Sequence, residues 1–295
     1  MAGTSTAMPG GPATEPKKDR MKPGTPALRL LSLAGLFAVS APALAIDCKK
    51  AATDVEKLIC SDRGAVAADA ELNRNYAALL KQAPDAEIRA MLVNSQKRWL
   101  VARDKALEAL IETPDALPDG KTAAQAGRDL IRARSAQFKE TEKGDAVPRM
   151  IRRALEQRQF LAQFTGGAFA GYWTSCDVLP RDYTDYACFA IRHYQNHDHV
   201  CSIDESWASG GVYTRRYVAN VVNGKPKVVA SCSYNDADQA CSDSEGKTKW
   251  NRTPAQPQYV YAADPLPKID GEVYDADDYE WVQACLADPA YPAAK

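Results

Sequence analysis

The sequence lacks the short motifs that usually carry catalysis or nucleotide binding. It has no Gly-x-Ser-x-Gly elbow, no glycine-rich phosphate loop and no His-Glu-x-x-His pair. Hydrolase, nucleotide-binding and zinc-protease chemistry therefore lack their usual residues. Basic residues are not in excess either, because 37 Lys and Arg stand against 38 Asp and Glu, which argues against a nucleic-acid partner. The sequence predicts a protein that is not an enzyme and holds no cofactor.

A long apolar run is also missing beyond the first 45 residues. No later segment approaches the ~20 apolar residues that a transmembrane helix needs, so no transmembrane segment is expected. Residues 21–45 contain early basic side chains, an apolar stretch too short to span a bilayer, and the small-x-small triplet Ala43-Leu44-Ala45. This pattern is typical of a secretory signal peptide cut before Ile46.

The expected product of that cut is a mature protein of residues 46–295, located in the periplasm or secreted. Residues 1–20 are rich in Gly, Pro, Thr and Lys, and we interpret them as a non-structural upstream segment. A lipid anchor is not expected, because Asp47, and not a small residue, precedes the first cysteine, Cys48.

Composition divides the mature chain into two expected domains. Residues 46–164 are rich in Ala, Leu, Arg and Glu, contain two cysteines and carry a net charge of +3. Residues 165–295 contain six cysteines and most of the aromatic residues and carry a net charge of −7. The length of each part falls within the usual range for one domain.

The first domain has apolar residues at helical spacing. Thr53 followed by Glu56 is a capping box, and four longer amphipathic stretches follow, from about Ala67 to Pro84, 85–112, 123–140 and 148–164. The predicted product is a small antiparallel helical bundle. A bridge between Cys48 and Cys60 would fix the chain entry to the end of the first helix.

Three residues of these helices are candidates for the structural core. Tyr76 lies on the apolar stripe of the second helix, and Trp99 and Arg103 share one face of the third. A buried indole with an arginine whose stem packs beside it is common in helical bundles. We therefore assign Tyr76, Trp99 and Arg103 to the structural core, and for Trp99 and Arg103 a binding surface is the alternative.

Several motifs recur in order over about sixty residues. They are Asp47-Cys48, Val55-Glu56-Lys57-Leu58-Ile59-Cys60, Leu72-Asn73-Arg74-Asn75-Tyr76, Gln96-Lys97-Arg98-Trp99-Leu100 and Arg103-Asp104. In this order they resemble the N-terminal domain of LprI-type lysozyme inhibitors, over about residues 47–140. The resemblance implies an exported helical module of the bacterial cell envelope, linked in some members to lysozyme inhibition. Members often carry a further cysteine pair, whereas this chain has no cysteine between residues 61 and 175.

The second domain has short runs rich in Val, Tyr, Ile and Trp that are separated by turn residues. These runs predict strands near residues 171–173, 186–191, 200–207, 212–222 and 227–234, with turns at Asn196-His197 and Asn223-Gly224. The predicted fold class is therefore α+β, a helical bundle followed by a small disulfide-rich β domain of sandwich or barrel type.

Eight cysteines in an exported chain indicate disulfides and not free thiols. The six in the second domain are Cys176, Cys188, Cys201, Cys232, Cys241 and Cys285, and sequence does not choose among their fifteen possible pairings. We expect one local pair, Cys232 with Cys241. With a turn at Asn196-His197, Cys188 and Cys201 do not face each other, so each is expected to find another partner.

All three histidines, His193, His197 and His199, lie within seven residues. Imidazoles so close in sequence suggest a zinc or copper site. A polar hairpin tip that is rich in histidine is the alternative, and we favour it because Cys201 is expected to be oxidised. No metal is therefore predicted.

An acidic, aromatic segment runs from Asp264 to Asp288. Its acids alternate with aromatic residues, and the partner-binding candidates are Asp275, Asp277, Asp278, Tyr279 and Trp281. Acidic charge and aromatic anchors suit a strongly basic protein partner such as lysozyme. A solubilising surface is the alternative, and Asp277-Asp278 as the two acids of a glycosidase is a weaker one.

The sequence and its resemblance together favour an exported, non-enzymatic protein that binds and inhibits lysozyme or a related cell-wall hydrolase. Two other functions remain open. One is a structural or stress-related envelope protein without lysozyme binding, and the other is a periplasmic metal-binding protein.

Overall fold

The computed structural model describes residues 45–114, 117, 120–179, 185–208, 211–234, 240–242, 248–256, 261 and 265–293, all within one compact unit, Ala41–Lys295. The expected upstream segment 1–20, the signal segment up to residue 44, and Asp264 lie outside the described residues. No helix among the described residues is long and apolar enough to cross a membrane.

Helices come first and strands follow, which confirms the predicted α+β class. The helices of the first part are α1 (Asp54–Ser61), α2 (Arg63–Gln82), α3 (Ala86–Glu112), α4 (Ala123–Gln137) and α5 (Arg149–Leu161). The strands are β1 (Gly171–Val178), β2 (Tyr186–Asn196), β3 (His199–Ala208), β4 (Gly211–Val222) and β5 (Lys225–Tyr234). A 3-10 turn (Gly271–Val273) and helix α6 (Asp278–Ala287) follow the sheet.

Local signals account for the helix boundaries. Thr53 and Glu56 form the predicted capping box, in which each side chain accepts a hydrogen bond from the backbone N–H of the other residue. Asp85 caps α3 by accepting from the N–H of Ile88. Helix α2 ends at Gln82, and Ala83 is extended because the residue before a proline is disfavoured in helical conformation.

The apolar stripes of α1 to α5 meet in one core. Trp99, Ile88 and Ile131 are fully buried there, and the core continues into Val178 at the end of β1 and Ile269. The helical region (residues 46–164) and the strand region (residues 165–295) thus share apolar contacts. Independent folding of these two regions as separate domains stays a prediction.

The five described strands form one antiparallel sheet in the order β1-β2-β3-β4-β5. Within the described residues this is a single meander and not the sandwich or closed barrel expected. Its second layer is helical instead, because α6 contributes Trp281, Val282 and Leu286 to the cluster that covers one face of the sheet.

The two sequence-predicted turns have different outcomes. Asn223 and Gly224 both have positive φ, 53° and 72°, and connect β4 to β5 as predicted. The turn between β2 and β3 lies at His197-Asp198, because Asn196 pairs with His199, so its prediction at Asn196-His197 is wrong. A positive φ of 50° at His197 provides the reversal.

All eight cysteines form disulfides. The pairs are Cys48 with Cys60, Cys176 with Cys188, Cys201 with Cys285, and Cys232 with Cys241. The first and last are the two local pairs that the sequence analysis proposes. Cys188 and Cys201 have partners other than each other, and the bridge from Cys201 to Cys285 attaches α6 to the middle of the sheet.

Candidate functional site

Four charged side chains meet between the helices and the segment that follows the sheet. We call Arg98, Arg134, Asp270 and Glu272 the buried ion network. Arg98 Nη2 lies 2.8 Å from Asp270 Oδ2 and 2.6 Å from Glu272 Oε2, and Arg134 Nη1 lies 2.8 Å from Glu272 Oε1. Both carboxylates come from the acidic segment that the sequence analysis places on the surface.

The charges of this network stabilise one another. Burial opposes ionisation of Glu272, but the guanidinium groups of Arg134 and Arg98 outweigh it and hold the pKa of Glu272 below its usual range. Burial raises the pKa of Asp270 despite Arg98. Two cations face two carboxylates, so the network joins α3 and α4 to the 3-10 turn.

The acidic segment packs largely inward. Asp278 and Trp281 are buried, with 7% and 8% of their surface exposed, and the indole N–H of Trp281 donates to the Tyr291 hydroxyl at 3.1 Å. Tyr279 is half-buried and stacks on Phe160 with ring centroids 3.8 Å apart. Asp278 and Trp281 thus belong to the protein's own interior, and direct partner contact through them stays a prediction that their burial does not support.

The pKa of Asp278 is shifted, which the sequence alone does not indicate. Its carboxylate lies 2.8 Å from Arg192 Nη2, yet burial outweighs this attraction and raises the pKa of Asp278 to about 6. The folded protein therefore binds this proton more tightly than the unfolded chain does.

We expect the free energy of unfolding to gain a contribution from Asp278 as pH falls from about 6 towards 4. A difference of this size between folded and unfolded pKa corresponds to about 2 to 3 kcal/mol. Asp278→Asn removes the titrating group, so the stability of the wild type relative to the variant should rise as pH falls over this range, as measured in denaturant titrations. Parallel pH profiles of the two proteins would contradict the shift.

Acidic charge remains accessible on and around α6. Asp277, Glu280 and Asp288 are exposed, whereas Asp275 is half-buried and its carboxylate accepts a hydrogen bond from the backbone N–H of Asp277. Of the five predicted contact residues, Asp277 is the exposed one.

The three histidines do not converge. His193 pairs with Ser202 and His199 with Asn196, and the alternation of side chains along β2 puts His193 and His199 on opposite faces of the sheet. His199 does lie beside Cys201 and Cys285, but their sulfur atoms are bonded to each other and are not thiolate ligands. This arrangement gives no support to a zinc or copper site built from these histidines.

The remaining candidate residues lie in the helical core. Tyr76, Trp99 and Arg103 are 6%, 0% and 7% exposed. The Arg103 guanidinium lies 5.4 Å from the centre of the Trp99 ring, and Arg134 of the buried ion network lies 6.0 Å from it. Both distances are within the range of cation–π attraction, so both guanidinium groups can stabilise the buried indole.

The sheet contains a cleft that was not predicted from the sequence. Strands β2 and β3 pair from their turn as far as Ile191 and Asp204, where their pairing stops. The rest of β2 stays paired with β1, and the rest of β3 stays paired with β4. The two hairpins separate beyond this point, and a cavity of about 310 Å³ lies between them. We call this wedge the sheet cleft.

Aromatic side chains line the sheet cleft. Trp173 of β1 is 56% exposed and Trp207 of β3 is 36% exposed, with Phe189 of β2 between them in sequence. These residues are in predicted strands, but the divergence of β2 from β3 has no local sequence signal that we recognise. Two exposed tryptophans in β1 and β3, on either side of β2, are the feature from which the site is recognisable once the register is known.

Comparison with known proteins supports one part of the chain. Residues 48–140 match the family model described as Lysozyme inhibitor LprI, which confirms the resemblance found in the sequence. The match covers α1 to α4 and ends before the strand region. No curated protein and no solved structure matches the chain significantly.

Proposed function

We propose that the protein is an exported, non-enzymatic inhibitor that binds lysozyme or a related cell-wall hydrolase. The observation that carries the proposal is the match of residues 48–140 to the lysozyme inhibitor LprI family. Four disulfides suit the oxidising compartment in which such an enzyme would be met.

Two accessible surfaces suit a basic enzyme. The first lies in the matched helical segment, where Glu108 and Glu112 are exposed and one turn apart on α3. The second is the exposed acidic end of α6, with Asp277 and Glu280. Exposed carboxylates attract a basic partner over several ångströms and increase the association rate.

The direct test measures both lysozyme binding and lysozyme activity with the oxidised protein of residues 46–295. Low salt should give slower clearing of wall suspensions and measurable binding, and both effects should weaken as salt rises, because exposed charges are screened within ~8 Å at physiological ionic strength. Full lysozyme activity and no binding in a large molar excess at low salt would reject the proposal for that enzyme.

Two matched double variants locate the contact. Asp277→Asn with Glu280→Gln and Glu108→Gln with Glu112→Gln each remove two exposed negative charges. The double variant whose residues lie at the interface should have an association rate reduced several-fold and a dissociation rate that changes little. The other double variant serves as its control. Equally small effects of both double variants on the association rate would exclude electrostatic attraction of lysozyme by either surface.

A further inference from the structure

Rows of paired residues from β1, β2 and β3 form the base of the sheet cleft. Trp173 pairs with Ile191, and Ile191 pairs with Asp204. Directly opposed residues of antiparallel strands point to the same face, so an indole, an aliphatic side chain and a carboxyl group form one row across β1, β2 and β3. Phe189 and Ser175, paired with each other, form the next row towards the open end.

The carboxyl groups at the cleft already have cations nearby. Asp177 forms an ion pair with Lys105, and Glu205 lies 3.1 Å from Arg192. Asp204 is opposite Arg215 in the register, and burial raises its pKa although Arg215 acts to lower it. The acids therefore offer hydrogen-bond acceptors, while their charge is largely balanced by the protein itself.

We propose that the sheet cleft is a binding site for a neutral saccharide. A sugar ring has an aliphatic C–H face and an edge of hydroxyl groups, and the cleft has both complements. The aliphatic face packs against the exposed indole of Trp173, and ring hydroxyls donate hydrogen bonds to the carboxyl group of Asp204. A few polar groups placed in a mainly apolar and aromatic pocket are the usual composition of a small-ligand site.

Other ligand classes fit the cleft less well. An anion would meet acidic residues and, among the described residues that line the cavity, no basic side chain. A wholly apolar ligand would desolvate the carboxyl groups without replacing their hydrogen bonds. The volume of about 310 Å³ suits a compact ligand.

Calorimetric titration of the oxidised protein with soluble oligosaccharides tests the proposal. The probes are β-1,4-linked N-acetylglucosamine, β-1,4-linked glucose and α-1,4-linked glucose oligomers, together with a lysine-rich peptide. We expect at least one oligosaccharide to bind. Trp173→Ala and Asp204→Ala should each weaken that binding about tenfold or more, as expected for truncation of a central contact.

Tyr234→Ala is the matched control, because Tyr234 is an aromatic residue of β5 with a similar exposure of 51%. It should leave saccharide affinity unchanged. Absence of binding to every oligosaccharide at millimolar concentration would overturn the proposal, as would binding that all three variants weaken equally or not at all. Binding of the peptide alone, lost in Trp173→Ala, would assign the cleft to a cationic ligand instead.

The experiments separate saccharide binding at the sheet cleft from lysozyme binding. A protein that binds wall glycan slows the clearing of wall suspensions by shielding the substrate, even when it does not touch the enzyme. Direct binding to lysozyme in the absence of wall material is unaffected by Trp173→Ala if the two sites are separate. Loss of clearing inhibition with unchanged lysozyme binding in this variant is the result expected for substrate shielding.

Discussion

Trp99→Ala is expected to lower the free energy of unfolding by about 3 to 5 kcal/mol, the range for removing a large buried aromatic side chain. Trp99 is completely buried, so the substitution leaves a cavity between α3 and its neighbours. It also removes the ring that the guanidinium groups of Arg103 and Arg134 approach within cation–π distance. Denaturant titration followed by circular dichroism measures the change.

Val101→Ala provides the control on the same helix. Val101 is 71% exposed, so its truncation should change stability by no more than about 0.5 kcal/mol. If Trp99→Ala were as mild as Val101→Ala while lysozyme binding was lost, Trp99 would be a recognition residue and its assignment to the core would fail.

Glu272→Gln is expected to cost about 3 to 5 kcal/mol as well, because removing one member of a buried ion pair leaves its partner's charge uncompensated. Arg134 is 2% exposed and has no access to water that would replace the carboxylate. Since the pKa of Glu272 is held below its usual range, its stabilising contribution is present above the pKa of the unfolded chain and is lost as pH falls through the lower folded value. The variant should therefore resemble wild type more closely in strong acid.

A double-mutant cycle identifies the cause of that loss. Glu272→Met and Arg134→Met should each destabilise the protein strongly, while the double variant should be less destabilised than the sum of the two, because neither charge is then left alone. Glu87→Gln is the exposed control: Glu87 lies 2.9 Å from Arg158 on the surface, where an ion pair contributes at most about 1 kcal/mol. If the effects of Glu272→Met and Arg134→Met on stability were additive, this explanation would be contradicted.

Much of the helical region could be predicted from the sequence. Apolar periodicity and the capping residues Thr53 and Asp85 are local signals, and the structure has helices where these signals predict them. Trp99 is buried at the spacing that places it on the apolar face. The strands were also recognisable from composition, since β-branched and aromatic runs between turn residues are local features.

The burial of the acidic segment could not be predicted from such local signals. Asp270, Glu272 and Asp278 appear in a strongly acidic stretch that a single sequence indicates as solvated, but their compensating charges are Arg98, Arg134 and Arg192, which lie far away in the chain. Burial of an acid depends on such a distant partner. Helix α6 was not predicted from the sequence either.

The sheet cleft depends on a different kind of information. It forms because pairing between β2 and β3 stops at Ile191 and Asp204 although both strands continue. Strand length can be estimated from composition, whereas the point at which two strands part is a property of the assembled sheet. The correct turn, at His197-Asp198, likewise required the register.

The disulfide between Cys201 and Cys285 spans 84 residues of sequence, and this has a topological consequence. Strands β4 and β5 and the whole connection to α6 lie inside a covalent ring, so a protease that cuts one peptide bond anywhere in the ring opens the chain without producing two separate molecules. In the chain-entropy model a ring of this size disfavours the unfolded state by about 4 to 5 kcal/mol. Until the disulfide is reduced, a molecule nicked once in this way keeps α6 tethered to the sheet.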